Sequence, residues 1–343
     1  MKRAGVLGVT SLTVFVFCAC LHAGWPRARA GGYKVTGTIP VAGEGGWDYL
    51  MVDEAARRLY VSHATHVVVF DVDSHAVVGD IPDTQGVHGI ALATDLGRGF
   101  VSAGRANSVT IFDLKTLKTL GTAPTGTNPD AILYEPVGKR VFAFNGRSHD
   151  ATVIDAASGK VLSTFPVGGK PEFAAADGKG SVYVNIEDTS EILHIDGQNM
   201  TVLHRWPLAP CKEPSGLAID TVGRRLFAVC DNEMMAVMNA DTGKVVATPK
   251  IGEGPDAAAF NPGTKEVFSS NGETGTLTVV HQDSPDNYTI VENVPTKKGA
   301  RTMGLDLKNG TLFLPCAEMI PPGPGQKWPS VKPGTMNLLV VSR

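Results

Sequence analysis

Seven polar residues stand at a nearly constant distance before an aromatic residue, and their side chains are the best placed in this sequence to do chemistry. Carboxylate and imidazole groups are hard-to-borderline ligands, so their convergence would suit a divalent cation or a cationic or polyhydroxylated ligand. Each lies eleven or twelve positions before its aromatic: Asp48, His88, Asp130, Glu172, Ser215, Asp256 and Arg301.

Histidines near the first two of these residues suggest a metal site. His63 and His66 are three residues apart and close in sequence to Asp48, and His88 lies in the adjacent segment. Three imidazoles beside one carboxylate are a candidate zinc or copper site. Calcium is the third divalent ion that we consider, because the set is rich in carboxylates. No C-x-x-C, H-x-H or H-E-x-x-H spacing supports a local metal motif.

The aromatic residues mark seven copies of one unit, 40 to 45 residues apart. Each copy contains a short strand rich in small residues, a strand with the aromatic, a strand ending at Asp or Asn, and a fourth strand after a turn such as Ser158-Gly159-Lys160. Four strands per repeat form a blade of a β-propeller. The aromatics are Tyr60, Phe100, Phe142, Tyr183, Phe227, Phe268 and Phe313.

The chain ends complete one blade between them. The last copy stops after a third strand at Leu338 to Arg343, and Tyr33 to Val41 reads as the missing fourth. This closure would leave no exposed sheet edge, which favours a monomer. The sequence therefore predicts an all-β fold, a seven-bladed β-propeller of four-stranded blades in one domain at residues 31–343, closed by the N-terminal strand.

A propeller brings the loops that enter the first strands to the same face as the loops between the second and third strands. The seven spaced polar residues, hereafter the mouth residues, would then surround the channel opening. The alternative is that they line a solvent-filled channel and cap backbone groups. The second-to-third-strand loops add further polar residues to this face: Arg105, Asn107, Asn145, Arg147, His149, Asp150, Glu187, Asp188, Asp231, Glu233, Asn271 and Glu273.

Two cysteines of the fifth repeat lie near the same face. Cys211 precedes Ser215, and Cys230 ends the second strand of that blade, so a disulfide between them is sterically reasonable. Cys316 occupies the equivalent position two blades later, too far from Cys230 for easy pairing. The alternative is three buried, reduced thiols.

The tandem pattern of apolar-x-apolar-Asp, Ser/Thr-Gly-Lys-Val, Gly-x-Pro and Arg-x-Tyr/Phe-Val resembles the YVTN-repeat, YncE-like propellers. The match to the repeat's name is best at Val182-Tyr183-Val184-Asn185 and looser at Leu59 to Ser62. The resemblance covers residues 33–343. It implies an exported seven-bladed propeller, usually without assigned chemistry; some relatives are reported to bind single-stranded DNA, and others to serve metal or redox systems.

The N-terminus has the features of a signal peptide. Lys2 and Arg3 precede an apolar run from about Val6 to Leu21, and Ala28-Arg29-Ala30 supplies small residues before a cleavage point. We therefore expect residues 1–30 to direct export to the periplasm or the exterior. Two alternatives are an uncleaved anchor and lipidation at Cys20. No second apolar segment is long enough to span a membrane, so we expect no span in the mature chain.

Composition limits the choice of partner. The chain has 31 Lys and Arg against 34 Asp and Glu, and signal cleavage would remove four bases and no acid. A site for single-stranded nucleic acid needs a basic groove with aromatic side chains on which the bases stack. This face instead has more acidic than basic residues, and Trp47 and Trp328 are its only tryptophans for stacking. Single-stranded nucleic-acid binding, which the family resemblance suggests, is therefore placed last among the alternatives. An insertion at Ala317 to Thr335, rich in proline, is either a lid or docking arm over this face or a stiff surface loop.

Two classes of function follow. The first is a non-catalytic exported propeller that binds a small ligand, a metal ion or a protein partner through an acidic channel mouth. The alternative is a metal-dependent, lactonase-like hydrolase. In that enzyme, a cation held by the mouth carboxylates would polarise a carbonyl and His88 would move the proton. The cation would be held by Asp48, Asp130, Glu172 or Asp256.

Export gives the first testable prediction. In a host with a signal peptidase, the intact mass of the exported protein should match a chain that starts at Gly31. Replacing Ala28 and Ala30 by Leu should block cleavage, because the peptidase requires small residues there. Cys20→Ser should leave the mass of the exported product unchanged, whereas a lipidated protein would lose its acyl mass in that variant.

Overall fold

The structure, a computed structural model, describes residues 1, 5, 32–323 and 329–343. The predicted signal peptide, apart from Met1 and Gly5, lies outside the described residues, and so do Cys20 and Trp328. Residues 32–343 form one compact unit. In the described part of the chain, no helix is long and apolar enough to cross a membrane.

The chain folds into seven four-stranded antiparallel sheets, and six of them use four consecutive strands. The first strand of the chain is β1 (Lys34–Pro40). Blade 1 contains β2 (Leu50–Asp53), β3 (Arg58–His63), β4 (His66–Asp71) and β5 (Val77–Ile81). Blade 2 contains β6 (Val87–Ala93), β7 (Arg98–Ala103), β8 (Ser108–Asp113) and β9 (Thr119–Pro124). Blade 3 contains β10 (Pro129–Glu135), β11 (Arg140–Asn145), β12 (Asp150–Asp155) and β13 (Val161–Pro166).

The next three blades repeat this order. Blade 4 contains β14 (Pro171–Ala176), β15 (Ser181–Ile186), β16 (Glu191–Asp196) and β17 (Thr201–Pro207). Blade 5 contains β18 (Pro214–Asp220), β19 (Arg225–Cys230), β20 (Met234–Asn239) and β21 (Val245–Ala247). Blade 6 contains β22 (Pro255–Asn261), β23 (Glu266–Asn271), β24 (Thr276–Ser284) and β25 (Asn287–Pro295).

Blade 7 joins the two ends of the compact unit. It contains β26 (Gly304–Asp306) and β27 (Thr311–Cys316), and the insertion then forms a small hairpin of β28 (Met319–Ile320) and β29 (Ser330–Val331). The last strand, β30 (Asn337–Ser342), lies between β27 and β1. The predicted all-β, seven-bladed propeller with its N-terminal closure is therefore confirmed.

The repeated aromatics are the centres of the blade-to-blade packing. Each of the seven is at most 1 % exposed. The first strands pack tightly around the axis because small residues let them approach. At Gly216, an added Cβ would lie 2.6 Å from the Cα of Ala257 in the next blade, so only glycine fits. The ring is thus tightest where the mouth residues are carried.

The second testable prediction concerns the closing blade. Phe313→Ala should lower the free energy of unfolding by about 3–5 kcal/mol, because it leaves a cavity at a buried ring position. The matched control is Val222→Ala at a side chain that is 89 % exposed, which should change stability by no more than about 0.5 kcal/mol. Urea unfolding measures both variants, and equal effects would contradict the packing role of Phe313.

Candidate functional site at the channel mouth

A β-bulge positions most of the mouth residues. In blades 2 to 6 the mouth residue is the second residue of the first strand, and the register with the second strand shifts at that point. A bulge turns one side chain away from the regular alternation of the strand. Asp48 and Arg301 lie just before β2 and β26. In blades 2 to 6 a β-bulge at the start of the first strand therefore presents one polar side chain per blade.

Second-strand hydroxyls fix the backbone beside these bulges. Ser62 Oγ accepts a hydrogen bond from the Asp48 amide at 2.7 Å. Ser102 Oγ accepts from the Gly89 amide at 2.8 Å and donates to the Asp130 carbonyl of the next blade at 2.6 Å. The bulges are thus tied both within a blade and between blades, which fixes the mouth side chains on a rigid frame.

Three mouth residues from blades 1 to 3 form one tight cluster. His88 Nδ1 lies 2.6 Å from Asp48 Oδ2 and 3.5 Å from Asp130 Oδ1. Each of the three offers one ligand atom, and these atoms all lie within 4.8 Å of one another. Both carboxylates are 15 % exposed and the imidazole is 26 % exposed. The cluster is therefore largely shielded but open on one side.

The charges within this cluster favour protonation of His88. Burial acts to lower the pKa of His88, but the hydrogen bond to Asp48 and the charges of Asp130 and Asp48 outweigh it and raise the pKa to about 9. Burial raises the pKa of Asp130 to about 7, against the opposing charge of His88. At neutral pH the imidazole is therefore a cation between two carboxyl groups.

Arg301 forms a second charged pair at the opening. Its Nε donates to Asp256 Oδ2 at 2.6 Å, and its NH2 group lies 3.7 Å from Asp48 Oδ1. Burial raises the pKa of Asp256, although the Arg301 charge acts in the opposite direction. Arg301 thus connects Asp256 to the three-residue cluster.

Glu172 belongs to a third charged group. Lys170 Nζ contacts the carboxylates of both Glu172 and Glu187. Burial and the hydrogen bond with Glu187 raise the pKa of Glu172 to about 9. Burial also acts on Glu187, but hydrogen bonds from Glu172 and Lys170 lower its pKa. Glu172 therefore keeps a proton while Glu187 is ionised, and Lys170 contacts both carboxyl groups.

Ser215 has a structural contact at the mouth. Its Oγ donates to the Pro255 carbonyl of the next blade at 2.7 Å and contacts the Val229 carbonyl at 3.4 Å. It joins blades 5 and 6 in the way that Ser102 joins blades 2 and 3. Of the seven mouth residues, six are thus charged or titratable groups in two networks: the cluster of Asp48, His88 and Asp130 extended through Arg301 to Asp256, and Glu172 with Lys170 and Glu187.

Two aromatic rings from blades 1 and 4 meet beneath the mouth. The rings of Tyr49 and Phe173 lie edge to face with centroids 4.7 Å apart. Burial raises the pKa of Tyr49 well above its ordinary value, and all four mouth carboxylates add to this effect. Carboxylates from four blades thus act on one hydroxyl group, which indicates that they converge around the axis. Tyr49 is 6 % exposed.

Sequence reasoning missed this aromatic pair, although a signal was present. Tyr49 and Phe173 each follow a mouth residue, and in the other five blades this position holds a smaller side chain. Those residues are Gly89, Ala131, Gly216, Ala257 and Thr302. Lys170 was also missed, because the corresponding position, two residues before the mouth residue, is uncharged in blades 2, 3 and 6, at Gly86, Asn128 and Gly254.

The other predicted metal ligands lie apart from the cluster. The structure groups Asp48 and His88 with Asp130, whereas His63 and His66 contact each other with ring centroids 4.9 Å apart. His63 is fully buried, and burial together with the neighbouring His66 lowers its pKa. His66 Nε2 lies 3.7 Å from Asp80 on the outer strand.

The cysteines of blade 5 are bonded. Cys211 and Cys230 form a disulfide with their Cα atoms 5.8 Å apart. Cys316 is buried as a free thiol, and burial raises its pKa. The disulfide fixes the segment that leads to Ser215 against the second strand of its own blade.

The mouth opens into a cavity of about 480 Å³ on the side of blades 1 to 3. Asp48 and His88 line it together with Trp47, Arg105 and Arg147. Exposed acidic residues instead occupy the loops of blades 4 and 6, among them Asp188 and Glu273. The channel face was predicted to be acidic; its charge is divided between a cationic side and an acidic side.

Comparison with known proteins gives the fold. No protein-family model matches the chain, and no curated protein matches it. Among solved structures it is similar to Kuenenia stuttgartiensis hydrazine synthase, with a TM-score of 0.70, 15% identity and coverage of 80% of this chain and 94% of that one. It is also similar to U3-55K, with a TM-score of 0.76, 10% identity and coverage of 90% of this chain and 99% of that one. A chain of the mitotic checkpoint complex is similar with a TM-score of 0.74, 14% identity and coverage of 98% of this chain and 99% of that one. These likenesses show a β-propeller shared with many proteins.

The third testable prediction uses the proton of Glu172. A carboxyl whose pKa rises from 4.5 to about 9 on folding stabilises the fold fully below pH 4.5, and this contribution is lost as the pH rises towards 9. Glu172→Gln cannot ionise, so its free energy of unfolding should fall less over this range and should equal or exceed that of the wild type at pH 8. Urea unfolding at several pH values measures the difference.

The control for this prediction is Glu273→Gln, which removes an exposed carboxyl on the same face. It should keep the pH profile of the wild type. Identical profiles for Glu172→Gln and the wild type would show that Glu172 is ionised in the folded protein at neutral pH.

Proposed function

We propose that this chain is an exported, non-catalytic binding propeller of the YVTN-like class, and that its mouth binds a divalent metal ion through Asp48, His88 and Asp130. The observation that carries the proposal is the convergence of one imidazole nitrogen and two carboxylate oxygens within 4.8 Å. Export rests on the N-terminal sequence, and the closed ring supports a monomer.

The donor set fits a borderline or hard divalent ion. One nitrogen and two carboxylate oxygens suit zinc, and carboxylate oxygens also suit calcium. The three side chains come from separate blades whose backbones are tied by Ser62 and Ser102. Ligands held on rigid strands are well positioned for an ion. A bound ion would displace the proton of His88, since a ligand imidazole is neutral.

The hydrolase alternative is less well supported by the same geometry. It needs His88 to move a proton, whereas the proposed metal site uses the same imidazole as a ligand. Two of the four carboxylates proposed to hold a cation are paired instead: Glu172 with Lys170, and Asp256 with Arg301. If Asp48, His88 and Asp130 hold the ion, the other described mouth residues are Glu172, which pairs with Lys170, Asp256 and Arg301, which pair with each other, and the hydrogen-bonded Ser215.

The fourth testable prediction is metal content. Mature protein purified without chelator or affinity histidines should contain about one equivalent of zinc, copper or calcium by mass spectrometry. After chelation, the favoured ion should rebind with one site in calorimetry. His88→Gln and Asp130→Asn should each weaken binding by more than the roughly 10–100-fold that loss of an outer-shell partner costs.

Two variants serve as controls for metal binding. His66→Gln removes an imidazole of the second predicted histidine pair, and Asp231→Asn removes an exposed carboxylate from another loop of the same face. Both should bind the ion as the wild type does. A wild-type protein that neither contains nor binds these ions would overturn the proposal, and loss of binding in His66→Gln alone would move the site to His63 and His66.

A further inference from the structure

The cavity at the cationic side of the mouth contains many hydrogen-bond donors and little acid. Arg105, Arg147 and Arg301 line it, and Asp48 is the sole carboxylate among its described lining residues. Asp48 is itself in contact with His88 and Arg301. The positive charges of Arg105 and Arg147 are therefore not balanced within the cavity.

These two arginines differ from all others in the described part of the chain. Neither guanidinium group has a hydrogen-bond or ion-pair partner among the described residues, and both side chains belong to exposed residues. Every other described arginine donates to a carboxylate or a backbone carbonyl: Arg57, Arg58, Arg98, Arg140, Arg205, Arg224, Arg225, Arg301 and Arg343. The two unpaired arginines thus line the same cavity.

Equivalent loops place these arginines side by side. Each is the fifth residue after the buried aromatic of its blade, in adjacent blades 2 and 3. The backbone amide of Arg105 donates to the Gln85 carbonyl at 3.1 Å, and that of Arg147 donates to Thr127 at 3.2 Å. Both loops are therefore anchored in the same way to the loop that enters their own blade.

The floor of the cavity makes room for Arg105. Gly86 has a positive φ of 67°, and a Cβ at this position would lie 2.6 Å from Cγ of Arg105. Two constraints thus require glycine here: the positive φ of the backbone and the close approach of the aliphatic part of the Arg105 side chain. The stem packs over the chain that leads into the first strand of blade 2.

A further donor in the cavity wall has no acceptor. Trp47 is 8 % exposed, and its indole Nε1–H is buried with no hydrogen-bond partner among the described residues. The Arg301 guanidinium lies 5.9 Å from the centre of the Trp47 ring. The Trp47 ring and the Arg301 guanidinium thus lie together in one part of the cavity wall.

From these contacts we infer that the cavity binds a small organic anion, and that Arg105 and Arg147 hold its carboxylate or phosphate group. The planar guanidinium fork matches the oxygens of either group. A volume of about 480 Å³ is within the range of small-molecule sites. The inference goes beyond the proposed metal site and does not depend on it, since neither arginine is a proposed metal ligand.

The experiment uses the mature full-length chain after chelation, so that no metal contributes. Glycerol 3-phosphate and succinate are titrated separately by calorimetry, with uncharged glycerol as the reference. We expect at least one of the two anions to bind at a single site and glycerol not to bind. In the double variant Arg105→Gln/Arg147→Gln, affinity should fall by at least about tenfold, the loss expected for a charged hydrogen bond.

The control variant, Lys160→Gln/Lys244→Gln, removes the same net charge from exposed turns on the opposite face of the propeller. It should bind the anion within about twofold of the wild type. Its unfolding temperature and that of the arginine variant should match the wild type, because none of the four side chains is buried.

Three results would overturn the inference. The wild type could bind neither anion, both double variants could weaken binding equally, or glycerol could bind as well as glycerol 3-phosphate. Binding of glycerol 3-phosphate alone would assign a phosphate ligand, and binding of succinate alone would assign a carboxylate ligand. Because the protein is free of metal in this test, a failure of the metal proposal would not change these outcomes.

Discussion

The pairing of the first strand with the last is the constraint on which the rest of the structure depends. β1 supplies the outer strand of blade 7, with register from Lys34 opposite Ser342 to Pro40 opposite Asn337. Nearby, Tyr33 donates to Glu266 of blade 6 at 2.9 Å, and Arg343 pairs with the same carboxylate. Both ends of the compact unit are thus fixed to the neighbouring blade. Only a closed ring holds Asp48 of blade 1 beside Arg301, which precedes β26 of blade 7.

The charged mouth residues are paired with opposite charges, and this pairing sets the net charge at the centre of the channel opening. Carboxylates gathered from several blades into a shielded opening are stable only if cations or protons accompany them. His88, Arg301 and Lys170 supply the cations, and protonation of Glu172 removes one negative charge. The centre of the mouth is therefore nearly balanced in charge. Unbalanced charge lies off the axis, where Arg105 and Arg147 stand without partners.

The repeat let the sequence predict the fold and the face, but not the contacts. Equal spacing from the aromatics identified the seven mouth residues, because the same strand position in every blade faces the channel. Distances across the ring are not encoded in that spacing. Asp130 comes near His88 from the bulged start of β10, whereas His63 ends β3 in regular register with His66. The position of Lys170 holds uncharged residues such as Gly86 and Asn128 in other blades, so its pairing with Glu172 could not be read from periodicity.

Function in such a ring arises where the blades differ. The position five residues after the aromatic is Arg in blades 2 and 3 and acidic in blades 4, 6 and 7, at Asp188, Glu273 and Glu318. In blades 2, 3 and 6 the amide of this residue donates to the chain that enters the same blade, so the change from arginine to glutamate alters the charge at an equivalent backbone position. Tyr49 and Phe173 meet across the axis beneath it. Asp48 and His88 line the same cavity as Arg105 and Arg147, so a ligand that enters from this face meets the arginines together with two residues of the three-residue cluster.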